Sequence, residues 1–378
     1  MKQSLKRIYA LTRKETTQIL RDWRTLALIL IVPIIEMLLF AYAVTLKVDH
    51  IPTVVADMSM SARSQAFTAA LANSGYFDIE MHAASEAEVI QIIDKGDALA
   101  GVVIPPNFES GVERGGAQAL LLLDGSDAFT MLSGYLASAS IAQTQMMDLT
   151  IEKLGQMGVT TISSLPITTL TRILYNPNID DMIFIVPATA AMLLQIMTVA
   201  MTGESVVREH QLGTMEGLLI TPARPWEIII GKLIPNILVA AVDLLSVTLV
   251  GIVWFGVPFQ GSPLLFTLLS LLFIFAGLGL GLLVSTIART EEQVLAVTAL
   301  LIVFSVMLTG FIYPRSAMPR GVQLIGNFLP LTYFTRITRG IFTKGIGMRF
   351  IWTDAVALAI YSTVIMLAAS KMFNKRLD

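Results

Sequence analysis

Six runs of nearly uncharged, mostly apolar residues stand out along the chain: 25–46, 182–203, 228–255, 263–288, 293–312 and 351–371. A hydrocarbon core about 30 Å thick is crossed by roughly 20 helical residues. The pattern therefore predicts a polytopic α-helical membrane protein with six transmembrane helices. Residues 47–180, between the first two runs, have a different texture. Strand-like stretches at 51–56, 77–81, 99–104 and 119–123 alternate with helix-period stretches at 62–72, 86–93 and 127–154. Gly75, Gly96, Pro105-Pro106, Gly115-Gly116 and Gly125 fall between them, as turn residues should. An α/β domain inserted between transmembrane helices 1 and 2 is expected. Ahead of the first run, residues 1–24 interleave Leu5, Ile8, Tyr9, Leu11, Ile19 and Leu20 with Lys, Arg and Gln, the make-up of a helix lying in the inner headgroup plane. Ala41-Tyr42-Ala43 also resembles a signal-peptide cleavage site, but a leader region of 24 residues and so long an apolar run argue against cleavage.

Composition supports the lipid-solvated reading, with 54% hydrophobic and only 14% charged residues. The chain has no Cys, which removes disulfides, thiolate metal sites and thiol nucleophiles. With 26 Lys+Arg against 28 Asp+Glu there is no basic field for a nucleic-acid partner. The positions of the cations matter more than their number. Lys2, Lys6, Arg7, Arg13, Lys14, Arg21 and Arg24 precede the first run, and Lys371, Lys375 and Arg376 close the last, which predicts cytoplasmic termini. Residues 47–180 then lie outside, consistent with their fifteen acidic against six basic side chains. Residues 313–347 should be outside too, yet carry Arg315, Arg320, Arg336, Arg339 and Lys344. Within them 321–333 is apolar but too short to span, which suggests a re-entrant or interfacial segment whose cations meet lipid headgroups or an acidic partner.

Ionisable groups inside spans are costly and are candidates for function. Glu36 and Asp243 sit about 16 and 22 Å into their runs at 1.5 Å per residue. Either could line a path for a cationic substrate or carry a proton, or simply be hydrogen-bonded to a neighbour such as Gln195. Lys232, near the inner boundary, is expected to snorkel to the headgroups. Pro33, Pro187 and Pro235 should kink their helices. Gly277 and Gly281 stand in Gly-x-x-x-Gly register for close helix packing.

The connection 204–226 is too polar and too long for a hairpin turn. Val206, Val207, His210, Met215 and Leu218 could anchor a short surface helix there, with Arg208, Glu209 and Glu216 facing water or another protein. Val207-Arg-Glu209, then Gly213-Thr-Met-Glu-Gly-Leu-Leu-Ile-Thr-Pro222 and Trp226-Glu-Ile-Ile-Ile-Gly-Lys232, resemble the coupling segment of the type-2 ABC exporter permeases. Asn327-Phe-Leu-Pro-Leu-Thr-Tyr333 with Arg339-Gly340 is similar to that family's extracytoplasmic stretch before the last span. The resemblance covers nearly the whole chain and is greatest for bacterial inner-membrane multidrug efflux members.

It implies a homodimer, or a pair with a similar permease, forming the translocation path for hydrophobic or amphipathic compounds. It further implies separate ATPase subunits, which would hold ATP and Mg and dock on Arg208, Glu209, Gly213, Thr214, Glu216, Leu218, Thr221 and Pro222. The exported domain would serve as a dimer contact or a dock for a periplasmic adaptor protein. No cofactor is expected on this chain, which contains no Gly-x-x-x-x-Gly-Lys-Ser/Thr phosphate cradle. Among rival classes, an intramembrane protease lacks a histidine or a second aspartate at membrane depth, and His50, His82 and His210 make no metal-ligand cluster. An ion-coupled secondary transporter would use Glu36 and Asp243, but the inverted repeats common in such folds are not evident. A sensor would need only one or two spans.

Overall fold

A computed structural model describes residues 2–43, 48–156, 174–177, 180–213 and 224–377. The chain divides into two compact units, one comprising Thr45–Thr171 and the other the remainder. The larger unit begins with α1 (Lys2–Arg21) and α2 (Trp23–Ala43).

The smaller unit holds β1 (Ile51–Asp57), α3 (Ala62–Asn73), β2 (Phe77–His82), α4 (Glu86–Lys95), β3 (Ala100–Ile104), α5 (Phe108–Arg114), β4 (Leu120–Leu123) and α6 (Ala128–Gln156). Its sheet runs β2-β1-β3-β4, with the first three strands parallel and β4 antiparallel to β3. Both faces are covered, so the central strands are apolar on both sides. Ile51, Val55, Val102 and Ile104 pack with Leu71, Phe77, Phe108 and Ala137, while Val54, Ala56 and Val103 pack with Val89 of α4. Ser61 and Ser85 cap α3 and α4, and Gly96 and Gly115 close α4 and α5 with positive φ, where a side chain would be strained. The expected strands and helices are all present; α5 is additional.

The larger unit continues with α7 (Asp181–Gln211), α8 (Pro225–Val253), α9 (Pro263–Ile287), α10 (Glu291–Leu308), α11 (Arg320–Gly326), α12 (Pro330–Lys344) and α13 (Met348–Leu377). Among the described residues six helices are long and apolar enough to cross a membrane: Leu26–Ala43, Asp181–Gln211, Trp226–Val253, Pro263–Ile287, Glu291–Leu308 and Met348–Met372. α7 and α9 form the centre, with Leu193, Leu194, Phe273, Ile274 and Leu278 almost wholly buried. Their approach depends on missing side chains. A Cβ at Gly277 would overlap Thr198 Oγ1, and one at Gly281 would stand 2.6 Å from the Val199 carbonyl oxygen. By contrast, α2, α10 and α13 turn Leu28, Leu39, Leu300, Val303, Ile360 and Val364 outward, the apolar exterior that a bilayer solvates. Pro33, Pro187 and Pro235 lie inside α2, α7 and α8.

The second span differs from expectation. α7 runs eight residues beyond Gly203, so Arg208 and Glu209 sit on the last turns of a continuous helix and not on a separate surface helix. The polar residues continue the helix because their partners come from neighbouring helices.

Candidate functional site

α1 lies against the start of α8 because Gly231 has no side chain. A Cβ there would come within 2.6 Å of Leu11 Cβ. Ile8, Leu11, Glu15 and Ile19, spaced three and four residues apart, with Arg7 beside them, form the packed side of α1, whereas Leu5, Tyr9 and Leu20 face outward. The apolar residues seen in the sequence are thus split between a protein contact and an exposed face suited to an interface.

This docking closes a ring of four charges drawn from three helices. Glu209 of α7 is ion-paired with Lys232 of α8 at 2.9 Å and accepts a hydrogen bond from Lys14 of α1 at 3.1 Å. Glu15 completes it, 3.4 Å from Lys232 and 3.5 Å from Lys14. Lys232 also donates to Ser205 Oγ at 3.3 Å. Lys232 and Glu209 are buried, so the mutual pairing compensates for charge taken out of water. Burial alone would lower the Lys14 ammonium, but the hydrogen bond and charge of Glu209, helped by Glu15, raise it above its usual 10.5. Two further pairs flank the ring. Arg7 reaches Glu227 at 3.4 Å, and Glu227 accepts the Arg224 backbone N–H at 2.9 Å, fastening the first turn of α8. Arg208 grips Glu291 at the head of α10 with two bonds of 2.9 Å.

Two expectations are corrected here. Lys232 does not snorkel to headgroups, because Glu15 and Glu209 satisfy it inside the protein. Glu209 does not face water, because Lys14 and Lys232 draw it inward. In the sequence Lys14 counts only toward topology and Glu15 carries no signal of its own; their pairing follows from a place on the inward side of α1. The ring stands about one turn before Gly213, the last described residue ahead of the connection. Thr214, Glu216, Leu218, Thr221 and Pro222 lie outside the described residues.

Deeper in the bundle, Gln195 donates to Ser305 Oγ at 3.2 Å and joins α7 to α10. Asp243 is almost fully buried, and neither carboxylate oxygen has a hydrogen-bond donor. Half-buried Glu36 is near enough to act on its charge. Among the described residues no group of three or more His, Cys, Asp or Glu could hold a metal ion.

At the other end of α7 the chemistry changes. Arg339 of α12 donates to three carbonyls: Phe184 at 3.2 Å, Gly310 at 2.9 Å and Phe311 at 2.9 Å. Its guanidinium lies 3.5 Å from the Phe184 ring centroid. Burial pushes it down to about 10, which leaves it charged at neutral pH. α11 and α12, of 7 and 15 residues, are not among the helices long and apolar enough to span, in keeping with the short apolar run at 321–333.

Comparison with known proteins agrees with this architecture. The Escherichia coli protein named "Probable multidrug ABC transporter permease YbhS" is 30% identical over 380 residues, covering 99% of this chain and 98% of that one. The E. coli protein named "Probable multidrug ABC transporter permease YbhR" is 29% identical over 98% of this chain and 99% of its own. "Inner membrane transport permease YhhJ" of the same organism is 28% identical over 98% of each. Residues 23–371 match the family described as ABC-2 family transporter protein, so nearly all of both units falls within one family pattern. The chain is a multi-pass membrane protein and belongs to the ABC-2 transporter family.

Proposed function

We propose that the chain is the permease subunit of an ATP-driven exporter in a bacterial inner membrane, with both termini in the cytoplasm. Two copies, or one copy and a similar permease, would form the path, and separate ATPase subunits would bind ATP and Mg beneath them. The observation that carries this reading is the ring of Lys14, Glu15, Glu209 and Lys232, which binds the feet of α7 and α8 to α1 beside the connection 204–226. Hydrolysis moves a transporter only if the ATP-bound and ATP-free partners press on it differently. In this reading Arg208, Gly213, Thr214, Glu216, Leu218, Thr221 and Pro222 receive that pressure. Glu209 passes it to three helices at once, because it is ion-paired to α1 and α8 while being part of α7.

On this orientation the smaller unit lies outside the membrane. Leu132, Tyr135 and Leu136 of α6 are more than half exposed, which suits a contact with a second copy or with a periplasmic adaptor protein. The names of the relatives and the apolar spans suggest hydrophobic or amphipathic drugs as cargo. Asp243 and Glu36 would favour those with a cationic group, and Gln195 would hold helices together beside the path. The lack of any donor to Asp243 also favours a second reading, in which Glu36 and Asp243 couple transport to an ion.

The test is to purify the tagged chain from native membranes in mild detergent, beside a Glu209→Ala/Glu216→Ala variant. Recovery of an ATPase with the wild type and its loss, or loss of export, with the variant is the expected result. An ATPase absent even after cross-linking would overturn the exporter and leave the ion-coupled reading. An unchanged complex with wild-type export would remove the coupling role of the two carboxylates.

A further inference from the structure

The connection between α10 and α13 folds into a cavity of about 690 Å³ whose polar lining is strongly one-signed. Arg315, Arg320, Arg336 and Arg339 all border it, together with Asn327 and Phe184, and among the described residues no acidic one does. Arg336 has a carboxylate, Asp354, at 2.9 Å, and the charge of Asp354 also acts on Arg315 without a direct ion pair. Arg339 spends its donors on three carbonyls. Arg315 donates through Nη2 to the Gln323 carbonyl at 2.5 Å and to Asn327 Oδ1 at 2.8 Å, while its Nε is buried without an acceptor.

Carbonyls and amides solvate these cations but do not neutralise them. The electrostatic consequence is visible in Arg315, which burial and the charge of Arg336 hold below the usual guanidinium range. A half-buried guanidinium whose buried Nε–H has no acceptor, beside three other guanidinium groups, favours an anion with several oxygen acceptors, the geometry that arginine forks match. The setting narrows the class. Arg315 and Arg320 come seven and twelve residues after the end of α10, a span, which puts them near headgroup depth. Immediately beside the cavity, Leu324, Ile325 and Phe328 are exposed at 63%, 58% and 76%, an apolar shelf next to a cationic recess.

We propose that this cavity is a binding site for a phosphate group, presented by an anionic phospholipid or by a soluble phosphate ester, with Arg315 and Arg320 as its principal ligands. The apolar shelf favours the lipid, whose chains would lie along α11 while the headgroup enters the recess. Occupancy would fasten α11 and α12 to the end of α7 through Arg339, which touches both the cavity and the Phe184 carbonyl. The site depends only on the chain's spanning a membrane, so it stands or falls separately from the exporter reading.

The experiment uses the full chain in nanodiscs of phosphatidylcholine with increasing phosphatidylglycerol, read by native mass spectrometry for retained lipid and by the thermal melting midpoint. Arg320→Glu is the decisive variant, since Arg320 is exposed and its replacement breaks none of the bonds described above. The wild type should retain phosphatidylglycerol about tenfold more than Arg320→Glu, a loss of one charge-assisted contact. It should melt higher as that lipid is added, while the two proteins should melt together in pure phosphatidylcholine. Arg315→Lys, which keeps the charge but loses the fork, should retain an intermediate amount. Glycerol phosphate or inorganic phosphate, added to the chain in neutral detergent, identifies a soluble source if it raises the wild-type midpoint and not that of Arg320→Glu. Equal phosphatidylglycerol retention by wild type and Arg320→Glu, with no response to either phosphate, would overturn the proposal. A variant that melts lower even in pure phosphatidylcholine would show Arg320 to be structural, and would overturn its role as a ligand.

Discussion

The two ends of α7 solve one problem in opposite ways. Arg208 and Phe184 are separated by 24 residues, about 36 Å of helix, and basic side chains are gathered near each. At the Arg208 end the packed cations are matched by carboxylates: Lys14 and Lys232 share Glu15 and Glu209, Arg7 meets Glu227, and Arg208 meets Glu291. At the Phe184 end Arg339 and Arg315 are solvated by backbone carbonyls and an amide oxygen, and Arg336 is ion-paired to Asp354. Paired charges hold helices together but can be re-paired when one helix shifts. Charges solvated by carbonyls are fixed to particular backbone positions and keep their field. The first arrangement suits a moving joint, the second a rigid end that attracts anions.

Breaking the ring should have the largest effect. Lys232→Met leaves Glu209 and Glu15 sharing Lys14 alone, and removing one member of a buried pair costs about 3–5 kcal/mol. The melting midpoint in detergent should fall accordingly, and adding Glu209→Gln should recover part of it. At the other end, Arg339→Lys keeps the charge, but a single ammonium cannot meet three carbonyls arranged for a planar fork. A loss of about 2–4 kcal/mol is expected, and equal stability would show that charge alone suffices there. Arg208→Gln removes an ion pair exposed to solvent and should cost only about 0.5–1 kcal/mol, vanishing in high salt when melts are compared across ionic strengths.

The smallest effect is a divergence at alkaline pH. Lys14 is raised when folded, so its contribution is complete below 10.5 and is lost as pH climbs beyond its folded value. Arg339 is depressed to about 10, so between there and the ordinary guanidinium range the unfolded chain holds more protons and stability rises with pH. The chain has no Cys. Single probes at Tyr9→Cys and Phe328→Cys can therefore report each end, and the Tyr9 probe should loosen first. Simultaneous loosening would deny the contrast.

The spans and the alternating unit were legible because each is written in local periodicity. Val54, Val55 and Ala56 are apolar in succession because both faces of β1 are covered, and the strand was found at its observed place. α5 escaped because seven residues before Gly115-Gly116 carry too little period to separate a helix from a turn. The ring was hidden for another reason. Lys14 and Glu209 are 195 residues apart, and Lys232 and Glu15 are 217 apart, so no window of sequence contains the pair that decides either position. A lysine near a membrane boundary snorkels unless a partner is closer, and only the fold supplies that partner. The coupling reading of Arg208 and Glu209 rests on motif order, which carries no sign of the inward turn of Glu209.

The order of synthesis gives the carbonyl-solvated arginine a further consequence. Phe184, Gly310 and Phe311 all precede Arg339 in the chain, so the acceptors have left the ribosome before the charge that needs them. Arg339 can enter its place as soon as α12 forms, without waiting for α13. Lys14 is in the opposite position: it is made first and stays at the membrane surface until α7 and α8 arrive with Glu209 and Lys232. Assembly of one end is thus a matter of a late residue finding a finished socket, and of the other an early helix waiting for its partners to be inserted.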